Sequence, residues 1–350
     1  MKTPFTYWVR TAAGLEKIFL HELQQSFQVT TAFDIKHKSV FFSLDDNTES
    51  DLRLLSSLRT ADDIYKYIGS CKGIDNTKLS VVKITIFFDK YVLPVVMKAT
   101  NAKYIRVTTS FLGRRNFSRF YVENALNAML FTHTDIAVLS NEEEAAWKAG
   151  ELRVRIHIED DEAFFGIGLQ DKPLHRRAWK TNSYFAQLHP PLAAAMAMIA
   201  KDMHPAKIID PFCGSGTILV ESALQNGSVQ HSGFDISKEA IDIAIENAAL
   251  ARTHIEFQQD DFYNHYTNAG DYCIVSNPPW GEKHSIEAGK ENIFFERLVA
   301  EISQSRGSVL LIPDELADKL TGITFTKVLQ TRVRGKLASV IVINNGFSEQ

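Results

Sequence analysis

The segment AKIIDPFCGSGTILVESALQ, Ala206 to Gln225, decides how the chain is read. Ala206 to Asp210 is a short apolar run closing on an acid, and it reads as a buried strand. Gly214 and Gly216 follow, and then an apolar-periodic stretch that reads as a helix. Strand, glycine loop and helix in that order let the backbone approach a ligand at a helix N-terminus. Working outward, the alternation repeats. His231 to Asp235 and Ile255 to Asp260 read as strands two and three, with a helix over Lys238 to Ala251 between them. Tyr272 to Val275 is a fourth strand, Glu291 to Ser303 a helix, and Ser308 to Pro313 a fifth strand. KVLQTRV and KLASVIVIN, joined by Arg334 and Gly335, read as a closing hairpin. The pattern predicts an α/β fold whose C-terminal half is a Rossmann-like parallel sheet with crossover helices.

Two further acids give the glycine loop a chemistry. Asp235 ends strand two, 25 residues after Asp210, and Asp260 ends strand three, another 25 on. An acid ending strand two can take both hydroxyls of a ribose. An acid after strand three can accept from an adenine amino group. No Walker lysine follows the glycines, which counts against ATP. The predicted donor site is Asp210, Phe212, Gly214, Gly216, Asp235 and Asp260. The plainer reading makes Asp210 a capping carboxylate and the other two solvated strand-end acids. Cys213 reads as a small residue in a tight loop, and Cys273 as core.

SNPPWGEK, Ser276 to Lys283, follows the fourth strand. Pro278 and Pro279 fix φ and remove N–H donors, so this loop cannot relax into helix or ladder. An aryl amino group is a poor nucleophile because its lone pair is delocalised into the ring. The Asn277 side-chain oxygen and the Pro278 carbonyl can accept its two N–H bonds, and Trp280 can stack on the ring. Rate would then come from positioning and fixed dipoles. With this loop on strand four, the ligand that fits the glycine loop is S-adenosylmethionine. The plainer reading is a proline turn with a core tryptophan.

Upstream, residues 1–60 read as a small α/β unit, with strands over Thr6 to Ala12 and Ser39 to Leu44 and helices over Gly14 to Phe27 and Leu52 to Leu58. Residues 61–165 change character. Lys78 to Phe88, Lys103 to Phe111 and Leu152 to Glu159 alternate like strands, and Arg119 to Phe131 reads as a helix. No acid lies between Asp89 and Glu123, an interval carrying Lys90, Lys98, Lys103, Arg106, Arg114, Arg115 and Arg119 among aromatic residues. Such a stretch can neutralise phosphates and stack on unpaired bases. A solvated face balanced by the acidic runs at Asn141 to Glu144 and Glu159 to Glu162 is the plainer reading. Residues 166–190 form a basic connector that groups Lys172, His175, Arg176, Arg177 and Lys180 around Trp179. Residues 191–350 complete the C-terminal domain, opened by a helix with Pro191 at its first position.

The whole chain bounds these readings. Its 350 residues allow two or three domains, and 45% hydrophobic content suits a soluble globular protein. No apolar run is long enough for a bilayer, and the N-terminus lacks a secretory h-region, so a cytoplasmic location is expected. Three dispersed cysteines and eleven scattered histidines argue against a disulfide framework or a metal site. A net charge of −4 excludes a strongly basic protein, so nucleic-acid binding would rest on local charge.

On these motifs the chain resembles the THUMP-domain RNA methyltransferases that modify the exocyclic amino group of guanosine. VRTAAGLEKIFLHEL is similar to the family's opening segment, and LRTADDIYKYIG to the lead into its THUMP domain. PLHRRAWK resembles the connector, with Ala178, Trp179 and Lys180 where Gly-Tyr-Arg is usual. LAAAMAMIA, DPFCGSGTILVESAL and SNPPWGEK resemble the catalytic half in order and spacing. Phe212 replaces a frequent methionine, and Trp280 a more usual Tyr or Phe. The resemblance implies a ferredoxin-like N-terminal unit, a THUMP RNA-binding domain, and a class I methyltransferase domain with one antiparallel strand. It implies an enzyme using S-adenosylmethionine on the N2 of guanosine, and tRNA ahead of 23S rRNA is the expected substrate; a monomer without metal or membrane is expected. It also gives Arg106, Arg114, Arg115, Arg119, Arg176 and Arg177 a reason to contact RNA. An N6-adenine methyltransferase on RNA or DNA, a protein-glutamine methyltransferase and a non-catalytic RNA-binding protein remain the alternatives.

Overall fold

The computed structural model describes residues 5–27, 33–44, 48–99, 101–139, 148–180, 188–264, 270–280, 291–333 and 335–345. The acidic run at 141–144, residues 181–187 of the connector and residues 281–283 of the NPPW loop lie outside them. The chain divides into two units, one of residues 1–10 with 23–174, the other of residues 11–22 with 175–350.

The first unit is built on an eight-stranded sheet. Its elements begin with β1 (Tyr7–Arg10), α1 (Glu16–Phe27, which straddles the division), β2 (Phe33–Lys36), β3 (Ser39–Phe42) and α2 (Glu49–Ser57). Then come β4 (Asp63–Lys72), α3 (Leu79–Phe87), a π-turn (Phe88–Val92) and α4 (Leu93–Met97). β5 (Tyr104–Phe111), α5 (Arg119–His133), β6 (Ala137–Leu139), β7 (Glu151–Glu159) and β8 (Glu162–Gly168) complete it. The strand order is β2-β3-β1-β4-β8-β7-β5-β6. The expected division at residues 60 and 61 therefore falls inside one sheet, just before β4, which pairs with both β1 and β8.

Lys78 to Phe88, expected as a strand, is helical instead. Val81, Ile84 and Phe88 recur at helical spacing and are buried with Val122, Leu126 and Val154. Leu79, Val82 and Ile86 point outward and are exposed. The run is apolar on both faces, so alternation could not tell strand from helix, and packing against the sheet decides. The π-turn then absorbs Pro94, which has no N–H and whose ring would collide with the carbonyl four residues back.

The second unit is built on a seven-stranded sheet. Its elements are α6 (Pro190–Lys201), β9 (Lys207–Asp210), α7 (Thr217–Gln225), β10 (Gln230–Asp235), α8 (Lys238–Ala251) and β11 (Glu256–Gln259). They continue with β12 (Tyr272–Ser276), α9 (Glu291–Gln304), β13 (Gly307–Pro313), α10 (Asp314–Ala317), β14 (Thr326–Val333) and β15 (Lys336–Asn344). The order is β11-β10-β9-β12-β13-β15-β14. Strands β9 to β13 pair in parallel, and β15 runs against both of its neighbours. Both faces are covered, which is why these strands read as continuous apolar runs. Ile208, Cys273, Val275, Val309 and Leu311 pack on one side with Leu192, Met196 and Leu219. Ile209, Ile274, Leu310 and Ile312 pack on the other with Phe294 and Leu298. Cys273 is core, as expected.

Candidate active site

β9 and β12 are neighbours at the point where the strand order reverses. To one side lie β10 and β11, to the other β13. In open α/β sheets the crevice outside the carboxyl ends of strands at such a switch point receives ligands. The glycine loop leaves β9 there, and the NPPW loop leaves β12.

One side chain joins the two loops. Ser276, the last residue of β12, donates its hydroxyl to Asp210 Oδ1 at 2.6 Å. The Phe212 N–H donates to the same oxygen at 3.1 Å. Asp210 is only 1% exposed, and no cation among the described residues pairs with it. Burial pushes its carboxyl up to about 7, against the two hydrogen bonds and helped by the charge of Asp235. Asp210 Oδ1 fixes the two loops to each other.

The glycine loop is held from three directions. Gly214 has φ +52° with open space where a Cβ would stand, and its N–H donates to Asp235 Oδ2 at 2.8 Å. Gly216 has φ +75°, and a Cβ there would stand 2.8 Å from the Phe257 ring, so only glycine fits. Asn247 on α8 donates to the Ser215 carbonyl at 2.9 Å. The Cys213 N–H donates to the Phe234 carbonyl at 2.9 Å, and burial pushes the Cys213 thiol well up, leaving it without nucleophilic character.

Asp235 Oδ1 takes the Ser237 N–H at 2.9 Å, which starts α8. A carboxylate has about four lone-pair sites, so Asp235 keeps acceptor capacity for a ligand diol. The Asp260 N–H donates to the Asp235 carbonyl at 3.1 Å, which sets the two strand-end acids side by side. The Phe212 ring packs against Phe262 at 4.6 Å and Phe294 at 5.5 Å, an aromatic wall under that edge.

On the NPPW side, Asn277 is half-buried, and its Oδ1 is shielded from solvent without a partner among the described residues. Trp280 is also half-buried and packs against the apolar cluster containing Leu192 and Val275; its Nε1 is likewise buried and without a partner among the described residues. Pro278 is buried. Leaving a buried acceptor unmade costs about 1–3 kcal/mol, so an unpartnered amide oxygen at a strand end marks a place for a donor. The residues present fit an adenosine-bearing methyl donor: spare acceptor capacity on Asp235, a neighbouring acid and an open glycine. Among the described residues no group of three or more His, Cys, Asp or Glu could hold a metal ion. No helix among them is long and apolar enough to cross a membrane.

The basic residues separate into two kinds. The Arg106 side chain is buried and pairs with Glu151 at 2.7 Å, and that of Arg177 is buried and pairs with Glu221 at 2.7 Å. Both are corrected from RNA contacts to internal ion pairs, since neither guanidinium is available to a phosphate. Arg115 is turned inward, onto the carbonyls of Ile74 at 3.2 Å and Asp160. Arg114, Arg119 and Arg176 are exposed. Arg119 lies over the Phe120 ring at 4.7 Å and Lys78 over the Tyr121 ring at 5.4 Å, both rings being nearly half exposed. Ser276 and Asn247 had no role in the reading of the sequence; a hydroxyl closing an otherwise apolar strand was the one available signal for the first.

Residues 177–319 match the family described as UPF0020, the RMKL-like methyltransferase domain. The chain is 27% identical over 215 residues to the ribosomal RNA large subunit methyltransferase K/L of Vibrio parahaemolyticus, covering 47% of this chain and 30% of that protein. It is 31% identical over 176 residues to the tRNA (guanine(6)-N2)-methyltransferase of Thermus thermophilus, covering 47% of this chain and 48% of that one. The matches thus span about half or less of these relatives. Its fold is similar over 97% of this chain and 99% of the other to the crystal structure of TrmN from Thermus thermophilus, with a TM-score of 0.73 at 21% identity. The switch-point site and the match to the RMKL-like methyltransferase domain cover the same stretch, residues 177–319.

Proposed function

We propose that the chain is an S-adenosylmethionine-dependent RNA methyltransferase that modifies the exocyclic N2 amino group of a guanosine, in tRNA ahead of 23S rRNA. The observation that carries this is the pairing of two features at one switch point. The Ser276–Asp210 bond locks the glycine loop to the NPPW loop, and Asn277 Oδ1 beside it is buried without a donor among the described residues. The tRNA preference rests on the 31% identity to a tRNA guanine-N2 methyltransferase, with the rRNA enzymes close behind.

When bound, S-adenosylmethionine supplies an electrophilic methyl group on a sulfonium. Asp235 takes the ribose hydroxyls, Asp260 an adenine amino group, and Gly214 leaves room for the donor's backbone-side approach. Asn277 Oδ1 and the Pro278 carbonyl accept the two N–H bonds of the target amino group, turning its lone pair toward the methyl. Trp280 stacks on the base. Positioning and fixed dipoles carry the rate. In the first unit, β2-β3-β1-β4 is read as a ferredoxin-like arrangement, and the strands and helices after it as the THUMP domain. Arg114 and Arg119, with the Phe120 and Tyr121 rings, form its RNA-facing patch.

Nucleoside mass spectrometry of tRNA and rRNA, treated with the protein and S-adenosylmethionine, tests the reading. N2-methylguanosine in tRNA is the expected product. N6-methyladenosine instead would move the assignment to the adenine alternative, and no thermal shift with S-adenosylhomocysteine would overturn the enzyme altogether.

A further inference from the structure

Three side chains of the connector grip α7 in succession. Trp179 packs on Val220 of α7 and Ala248 of α8. Arg177 Nε pairs with Glu221 Oε1 at 2.7 Å. Lys180 Nζ donates to the Thr217 hydroxyl at 3.0 Å and to the Leu188 carbonyl at 3.1 Å. Thr217 is the first residue of α7, and the Ser215 hydroxyl of the glycine loop lies 3.5 Å from its own. Lys180 therefore ties the segment entering α6 to the far end of the glycine loop.

This is an unfavourable place for a cation. Burial disfavours the charge, and so does the positive end of the α7 dipole. The lysine is pushed down to about 8, by burial first and by Arg177, with Glu221 acting the other way. His189, at the start of α6, is driven down to about 4 by burial, Arg177 and Lys180, so it adds no charge at neutral pH. The His175 ring lies 5.6 Å from that of His189. Among Arg177, Lys180 and Glu221, two cations face one carboxylate. A side chain needed only for packing would not require a charge here.

We propose that Lys180 is a positioning residue of the methyl-donor site, holding Thr217 and Ser215, and through them the end of the glycine loop, in the donor-binding conformation. This rests on the methyl-donor reading above. The charge makes both of its hydrogen bonds charge-assisted, which roughly doubles their strength. Loss of the proton or of the amine loosens the loop while leaving Asn277 and its neighbours untouched.

The test is calorimetric titration of the full chain with S-adenosylhomocysteine at pH 7 and pH 9, for the parent and for Lys180→Met, with melting curves of both without ligand. Methionine keeps the length and apolar stem of the side chain. The expected result is a roughly tenfold weaker Kd for Lys180→Met at pH 7, with a Tm equal to or above the parent's. The parent should lose affinity between pH 7 and pH 9, and Lys180→Met should lack that step. In turnover, KM for S-adenosylmethionine should rise with kcat retained. An unchanged Kd, or a weaker Kd accompanied by a clear fall in Tm and a parallel pH profile, would overturn the proposal. A parent that binds no S-adenosylhomocysteine at either pH would overturn the methyl-donor reading, and this inference with it.

Discussion

In the eight-stranded sheet the buried guanidinium of Arg106 meets Glu151, and that of Arg153 meets Asp63. In the seven-stranded sheet the buried carboxylate of Asp210 meets only a hydroxyl and a backbone N–H. The arginine pairs lie within the strands and bridge across the sheet. Asp210 sits at the end of β9, where the strand order reverses. A buried charge that is matched has its desolvation offset on the spot, and it fixes architecture. One that is left unmatched destabilises the empty protein and is poised for a cationic partner. The difference separates the matched pairs that build scaffold, Arg177–Glu221 in the second unit among them, from the carboxylate at the switch point.

Breaking a matched pair should have the largest effect. Asp63→Asn leaves Arg153 buried and uncompensated, and should cost about 3–5 kcal/mol in urea unfolding. Asp63→Leu with Arg153→Met removes both charges and should recover most of that stability. If the double variant were as unstable as the single one, the pair would not be the source of the effect.

Asp210 should show the opposite sign. Its folded pKa, about 7, lies above the unfolded value near 3.8. Well below pH 3.8 the group is neutral in both states and costs nothing. As pH rises to 7 the unfolded chain releases its proton first, so stability falls, and above 7 the penalty is constant. The raised value corresponds to a penalty on the order of 4 kcal/mol. Asp210→Asn should therefore melt higher than the parent at pH 8, with the gap closing toward pH 4. A gap independent of pH would mean that Asp210 is matched after all.

The parallel sheet was legible because each of its signals is local. Strand, glycine loop and helix follow one another around Asp210, and Asp235 and the NPPW loop fall on strand ends that apolar runs already announce. The first unit was harder because its signals are tertiary. Residues 79–87 carry β-branched residues on both faces of a helix, so alternation suggested a strand, and the sheet against which Val81 and Ile84 pack is not visible from the segment. Arg106 and Arg177 read as surface cations because Glu151 and Glu221 lie 45 and 44 residues away. Ser276 was within the quoted loop, yet its role depends on the distant strand β9. Pairing across strands is what composition cannot see.

The unpartnered acceptor at the site gives the next prediction. Asn277→Ala removes the amide that would hold the target amino group, and methyl transfer should fall by roughly 10²–10³. Single-turnover assays with labelled donor would measure this, and Kd for S-adenosylhomocysteine and for RNA should stay unchanged. Normal turnover would return Asn277 to the status of a turn residue.

The smallest effect should come from the exposed arginines, and it sharpens the contrast within one interval of sequence. Arg114 and Arg119 stand on the surface, whereas Arg106, a few residues earlier, is internal. Charge reversal of Arg114 and Arg119 should weaken tRNA binding and reduce the slope of log K against log salt by about one for each phosphate no longer neutralised. Folding stability should change little, because neither side chain is part of a buried pair. Arg106→Met should do the reverse, destabilising the fold by stranding Glu151 while leaving the salt slope as it was. Filter binding across a salt series, alongside urea melts of the same variants, compares the two kinds of arginine directly. Equal salt slopes for all three variants would remove the RNA-facing patch from the proposed function.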